Sequence, residues 1–469
     1  MTTQLRRGIG LRTVVSTSTG LSMAAINYLA VAGLVVFVAG DQAWIAIAVA
    51  GLLALIAWAF YGELNGLFPT AAAIRLFMAR SMDDRVALSV TFTYMATLIL
   101  VIAADAFIIG SAVAHVLGQP AWAAAIYIAA LLGLATWSNL RGIRVAGGLQ
   151  DVATFTVLSV TTLIAVLGIV RSASGTHHIA SQLNSNHSMI TAIALGVFLY
   201  SAFEWVTANA EEVRRPGDIP RGMLISLGIL CAVCAVLSVA MSRLLSGAEL
   251  RSAYPQVYLG SAVLGRAGIG IMLGVTVLTA INTFNGGFLT ASRFMYAAAR
   301  EGNLPRAFSR LNDNAVPWVP VVCLAVGSTV VALMVAATSS WEVLVATGAA
   351  LEAGIYTVAG YCVLTLRKRQ PDADRPFRIR GGRTLAVVGM AIFGTLALAA
   401  SVTVGNSTNP TPLAIIAVTG AFSTAYVLRV IPRLRAAEAE RLAAAGGRQR
   451  RRPVRAESAV AAALPEESA

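Results

Sequence analysis

Twelve predominantly apolar stretches follow one another between residues 12 and 430, separated by short polar segments. A helix of about 20 residues matches the hydrocarbon thickness of a bilayer, and a soluble domain has no interior large enough for twelve of them. With 57% hydrophobic residues, 12% charged residues and a mean hydropathy of +0.74, the chain lacks the polar surface a water-soluble fold needs. Hydrocarbon offers no partner to a backbone N–H or C=O, so apolar runs of this length are helices. The expected fold is an all-α integral membrane protein with spans at 12–39, 43–62, 86–117, 121–140, 148–170, 189–209, 221–245, 268–299, 318–337, 341–366, 384–404 and 411–430.

Twelve crossings put both termini on one side. If that side is the cytoplasm, 31 of the 35 Lys and Arg residues lie in inner segments, and Arg171, Arg243, Arg251 and Arg266 are the exceptions. The positive-inside rule therefore predicts cytoplasmic termini in a multi-pass protein of the cell (plasma) membrane. The net charge of +13 is explained by this topology and does not call for nucleic acid. Residues 1–11 read as a cytoplasmic N-terminus and 431–469 as a basic disordered tail, whose Arg450, Arg451 and Arg452 could touch anionic lipid. The polar start runs directly into a full-length span, so no cleavable signal is expected.

Soluble-type catalysis finds no support. Cys231, Cys234, Cys323 and Cys362 lie in apolar spans and read as small core residues; His115, His177, His178 and His187 fall near outer segments without metal-ligand spacing. No nucleophile elbow, phosphate loop or zinc-protease motif occurs, so no enzyme activity, cofactor or metal is expected.

Three carboxylates lie well inside spans: Asp105, Glu204 and Glu352. A charged side chain at mid-membrane costs roughly 2.5–3.5 kcal/mol on insertion scales, so each is expected to face a polar cavity or a partner. Glu204 sits in Tyr200-Ser201-Ala202-Phe203-Glu204-Trp205, just ahead of the charged, proline-bounded run Glu211 to Pro220. Each carboxylate has two readings, a transport role or a structural hydrogen bond to a neighbouring helix.

Several motifs together resemble the amino acid, polyamine and organocation (APC) superfamily of secondary transporters over residues 10 to 430. They are Tyr61-Gly62-Glu63-Leu64 with Phe68-Pro69, Asn139 to Arg144, Glu211-Glu212 with Pro216 and Ile219-Pro220-Arg221, and Asn285 to Pro305 at the end of span 8. Arg367-Lys368-Arg369 with Arg375-Pro376-Phe377 completes the set. The resemblance implies a LeuT-type core, a 5+5 inverted repeat of 12–170 against 189–366, with two extra C-terminal helices over 384–430. It also implies that spans 1 and 6 are broken at mid-membrane, where freed backbone groups bind substrate.

The chain departs from that pattern where the family carries glycine. The Gly-x-Gly of span 1 falls on Ala24-Ala25-Ile26, and the glycine of the span 6 break is Ala202. By resemblance, substrate binding is expected at Ser22, Met23, Ala24, Ala25, Ile26, Asp105, Tyr200, Ser201, Ala202, Phe203, Glu204 and Asn285. Coupling or gating is expected at Glu204, Trp205, Glu352, Thr279 and Thr283. Glu204 matches an acidic position of relatives that handle cationic amino acids and polyamines. The implied activity is alternating-access transport of amino acids or related amines, leaning to cationic amino acids or polyamines. A neutral amino acid permease and a non-transporting membrane amine sensor are the alternatives. The energy source is expected to be a proton or a counter-substrate; span 5 has no Lys to stand in for sodium, and the hydroxyls of Thr279 and Thr283 are a weak sodium signal.

Overall fold

Lipid leaves an apolar chain with helices to form, and glycines mark where they turn. The computed structural model describes residues 9–70, 73–142, 147–172, 186–210, 212–379, 381–404 and 407–437. Among these are 11 helical stretches long and apolar enough to cross a bilayer, the first of which, Ile26–Leu67, runs to 42 residues. That is about twice the length a membrane accommodates. It turns at Gly40, whose φ of 55° and ψ of −132° favour a residue without a side chain, and so supplies two spans. The twelve expected crossings are therefore present.

Span 1 comprises Leu11–Ser22, then Ala25–Ala30 and Val31–Ala39; span 2 is Ala43–Leu67, span 3 Asp84–Val116, span 4 Ala124–Leu140 and span 5 Gly147–Ser172. Span 6 comprises Asn186–Phe198 and Phe203–Asn209, followed by span 7, Asp218–Leu244. Span 8 is the part of Pro255–Arg300 that follows a turn at Gly265 (φ 60°, ψ −138°). Spans 9 to 12 are Trp318–Thr338, Trp341–Arg369, Gly382–Val402 and Thr411–Arg429. Among the described residues, three short α-helices were not foreseen from the sequence: Ala73–Ser81 before span 3, and Gly247–Leu250 and residues 255–264 before span 8.

Spans 1 and 6, the first of each five-helix repeat, are both interrupted. In span 1 the helix stops at Ser22, Ala24 is extended at φ −51° and ψ 142°, and a π-helical turn resumes at Ala25. That backbone conformation is open to any residue, which is why the break needs no glycine. In span 6 Ala202 is left-handed, at φ 68° and ψ 0°. A side chain there costs roughly 1–2 kcal/mol.

The protein buries 72% of the most apolar window of spans 3 and 10, against 33% for span 11 and 17% for span 12. Span 12 has the least buried window, while span 4, at 28%, is less buried than span 11. At the end of the bundle that carries the termini, Glu63 of span 2 is 1% exposed and takes two bonds from Arg367 of span 10, at 2.8 and 2.6 Å. Arg375, at 3.3 Å, and the Ile379 N–H, at 2.9 Å, complete its shell. The Tyr-Gly-Glu-Leu and Arg-Pro-Phe motifs therefore meet in space, joining the two repeats.

Candidate substrate site between the broken helices

Breaking span 1 at mid-membrane frees backbone donors that must find acceptors in a dry interior. The Ile26 N–H donates to Asp105 Oδ1 at 2.8 Å. Asp105, fully buried on span 3, is thus bound to the broken backbone. The two breaks are also tied to each other: Asn27 Nδ2 donates to Ser201 Oγ at 2.8 Å and Ser18 Oγ donates to the Phe203 carbonyl at 2.9 Å.

Glu204 and Glu352 converge from spans 6 and 10. Both are about 1% exposed. The Tyr94 hydroxyl lies 3.3 Å from Glu204 Oε1 and 3.4 Å from Glu352 Oε2, and the Tyr356 hydroxyl lies 3.1 Å from Glu204 Oε2. Among the described residues, the groups acting on the two carboxyls are each other, the phenols and backbone, with no Arg or Lys. Two negative charges at this proximity repel strongly where the dielectric is low, so the arrangement is suited to holding one proton between two carboxyls.

Trp205 stands at a boundary. Its Nε1 donates to the Tyr94 hydroxyl at 2.7 Å. On one side is a vestibule of about 350 Å³, with Tyr94 and Glu204 at its floor and Arg75, Glu212, Arg293 and Glu301 along its wall. These four residues belong to segments on the terminus-bearing face. On the other side is a chamber of about 10 Å³ lined by Asn27, Thr97, Ser201, Thr283 and Glu352. That is room for one water-sized group. Trp205 and Leu98 line both spaces.

The structure sorts the expected site residues. Ser201, Ala202, Trp205, Thr283 and Glu352 line the chamber, and Glu204 and Trp205 line the vestibule. Tyr200 points elsewhere, donating to the Ile47 carbonyl of span 2 at 2.9 Å, and its ring serves helix packing. Phe203 is fully buried, 6.2 Å from the Tyr356 ring, and lines neither space. Ser22 bonds the Ser18 carbonyl, Met23 and Ala24 are buried at the break, and Thr279 bonds the Thr276 carbonyl. Ala25 and Asn285 lie in helices, with side chains outside the described set.

Sequence reasoning missed Tyr94, Tyr356, Asn27 and Thr97. Helical spacing carried a signal for two of them: Tyr356 is one turn after Glu352, and Tyr94 is three turns before Asp105 on the same face.

A family profile described as amino acid permease matches residues 9–422, which takes in both broken spans and the carboxyl pair. The chain belongs to the amino acid permease family. This family member is 28% identical over 261 residues to the large neutral amino acids transporter small subunit 2 of Homo sapiens, covering 52% of the chain and 47% of the relative. It is 27% identical over 270 residues to the Asc-type amino acid transporter 1 of Mus musculus, covering 55% and 50%. It is 26% identical over 248 residues to the cystine/glutamate transporter of Homo sapiens, covering 51% and 49%. The matches span about half the length of these curated relatives. In fold, it is similar to crystal structures of an Eremococcus coleocola manganese transporter; one, of a point mutant, has a TM-score of 0.58 at 14% identity, covering 90% of this chain and 95% of that one. A second, in complex with an aromatic bis-isothiourea compound, gives 0.58 at 15%, covering 92% and 98%. These likenesses establish a LeuT-type transporter fold, and the family is one of transporters rather than enzymes.

Proposed function

We propose that this protein is a secondary transporter of cationic amino acids or related amines, driven by a proton gradient or by exchange, with the Glu204–Glu352 pair as the coupling group. The observation that carries the reading is the position of that pair: two buried carboxyls without a basic partner among the described residues, beside Trp205, which lines both chamber and vestibule. A proton or a substrate ammonium relieves the repulsion between them, and either changes the balance between states in which Trp205 is closed or displaced. Alternating access then opens the chamber to one face at a time. The 31 to 4 division of basic residues supports a vestibule facing the cytoplasm, with both termini on that side of the plasma membrane.

Purified protein in proteoliposomes tests this with labelled arginine, putrescine and leucine, under an imposed pH gradient or with preloaded counter-substrate. Accumulation of arginine or putrescine driven by either, and abolished by Glu204→Gln, is the expected result. Accumulation that requires sodium and ignores pH and preloading would overturn it. A second reading, transport of neutral amino acids, is favoured by the names of the relatives; dominant competition by leucine, alanine or serine would select it.

A further inference from the structure

We propose that the ligand of this site is an amine lacking the α-carboxylate of an amino acid, because the protein supplies a carboxylate of its own where that group would be received. This deepens the transport reading and rests on it.

The amides freed where a helix resumes at mid-membrane carry the positive end of its dipole, and half-helix ends of this kind face the anionic group of a zwitterionic ligand. Here the resuming helix of span 1 begins at Ala25 and runs to Ala39, and its Ile26 N–H is bonded to Asp105 Oδ1. At the second break the Glu352 carboxyl lines the chamber together with Ser201 and Ala202. A ligand carboxylate would have to displace Asp105 from Ile26 or settle beside two buried carboxyls. Like-charge repulsion in a low-dielectric site opposes both.

The remaining chemistry of the chamber suits a donor-only group. Asn27 Oδ1, Thr97 Oγ1, Thr283 Oγ1 and Glu352 Oε1 belong to residues that line it, and none has a hydrogen-bond partner among the described residues. Their residues are between 1% and 5% exposed. Four unpaired oxygens around about 10 Å³ would leave desolvated acceptors unsatisfied. An ammonium carries three N–H donors and no acceptor, and is the size of one water. The rest of the ligand would extend past a displaced Trp205 into the vestibule.

The test uses ligand pairs that differ by the carboxylate alone: agmatine and arginine, cadaverine and lysine, isoamylamine and leucine. In competition for uptake by wild-type proteoliposomes, each amine is expected to compete at least tenfold better than its amino acid. Asp105→Ala, which frees the Ile26 amide, is expected to narrow that ratio at least tenfold, whereas Asp105→Asn, whose carbonyl still accepts from Ile26, keeps more of it. The shift in unfolding temperature of the detergent-solubilised wild type reads binding without flux and without any variant. Stabilisation by the amines and not the acids supports the proposal even if neither is transported, in which case the transport reading alone fails. Amino acids that compete or stabilise as well as their amines overturn the inference while leaving transport intact. So does a failure of every compound to stabilise.

Discussion

Replacing Tyr94 by Phe keeps the ring and removes one oxygen, and that oxygen joins Trp205, the proposed gate, to the Glu204–Glu352 pair. It accepts from Trp205 Nε1 at 2.7 Å and lies 3.3 and 3.4 Å from Glu204 and Glu352. In Tyr94→Phe the indole N–H of the closed state loses its acceptor, at about 1–3 kcal/mol for a buried donor left unpaired. Once Trp205 turns into the vestibule its N–H reaches water and the penalty vanishes. The cost therefore falls on the closed state alone, and shifts the equilibrium towards the open one by about 5- to 150-fold. The assay is the modification rate of Thr97→Cys by a membrane-impermeant thiol reagent. Cys231, Cys234, Cys323 and Cys362, all free thiols, are first replaced by Ser or Ala. Because Thr97 lines the chamber and is 1% exposed, its modification reports opening. An unchanged or slower rate in Tyr94→Phe would show that Trp205 is not the seal.

Three other changes follow from the same geometry. Glu204→Gln, which preserves shape but cannot carry charge, is expected to lose most concentrative uptake while inserting normally; wild-type accumulation at every pH would reduce Glu204 to a helix-packing residue. Ala202→Gly relieves roughly 1–2 kcal/mol of left-handed strain and returns about 0.4–1 kcal/mol through a freer unfolded chain, so a small rise in unfolding temperature is expected, and a clear fall would argue against the left-handed turn. Glu63→Gln leaves Arg367 and Arg375 facing a neutral side chain in a buried site, a loss on the order of 3–5 kcal/mol; chromatographic monodispersity and thermal unfolding of the solubilised protein check it, and an unchanged melting point would show that the cluster does not hold the repeats together.

The number of spans was legible because hydrocarbon imposes both length and composition on a crossing helix, and the unforeseen short helices are those that no membrane thickness constrains. Asp105, Glu204 and Glu352 could be picked out because an acidic residue in an apolar run is conspicuous. Their partners could not, since Tyr94, Tyr356 and Thr97 are ordinary residues in a membrane helix until a carboxylate is packed against them. Tyr200 misled for the opposite reason: its place beside the break suggested the cavity, but the turn of the chain directs its hydroxyl to Ile47. The family resemblance implied that span 6 is interrupted, whereas the direction of each side chain depends on the helices packed around it.

The absent glycines bear on mechanism as well as on prediction. A break at glycine leaves backbone with wide conformational freedom, and binding must then also order it. Here both breaks are held by side chains of other spans: Ile26 by Asp105 of span 3, Asn27 by Ser201, and the Phe203 carbonyl by Ser18. The chamber is therefore ordered before a ligand enters, and less of the ligand's binding energy goes into ordering backbone. Differential affinity between states then has to arise at the groups still free to change partner, which are the Glu204–Glu352 pair, the Tyr94 hydroxyl and the Trp205 indole. On the proposed reading, coupling runs through four side chains at one point rather than through the unwinding of either helix.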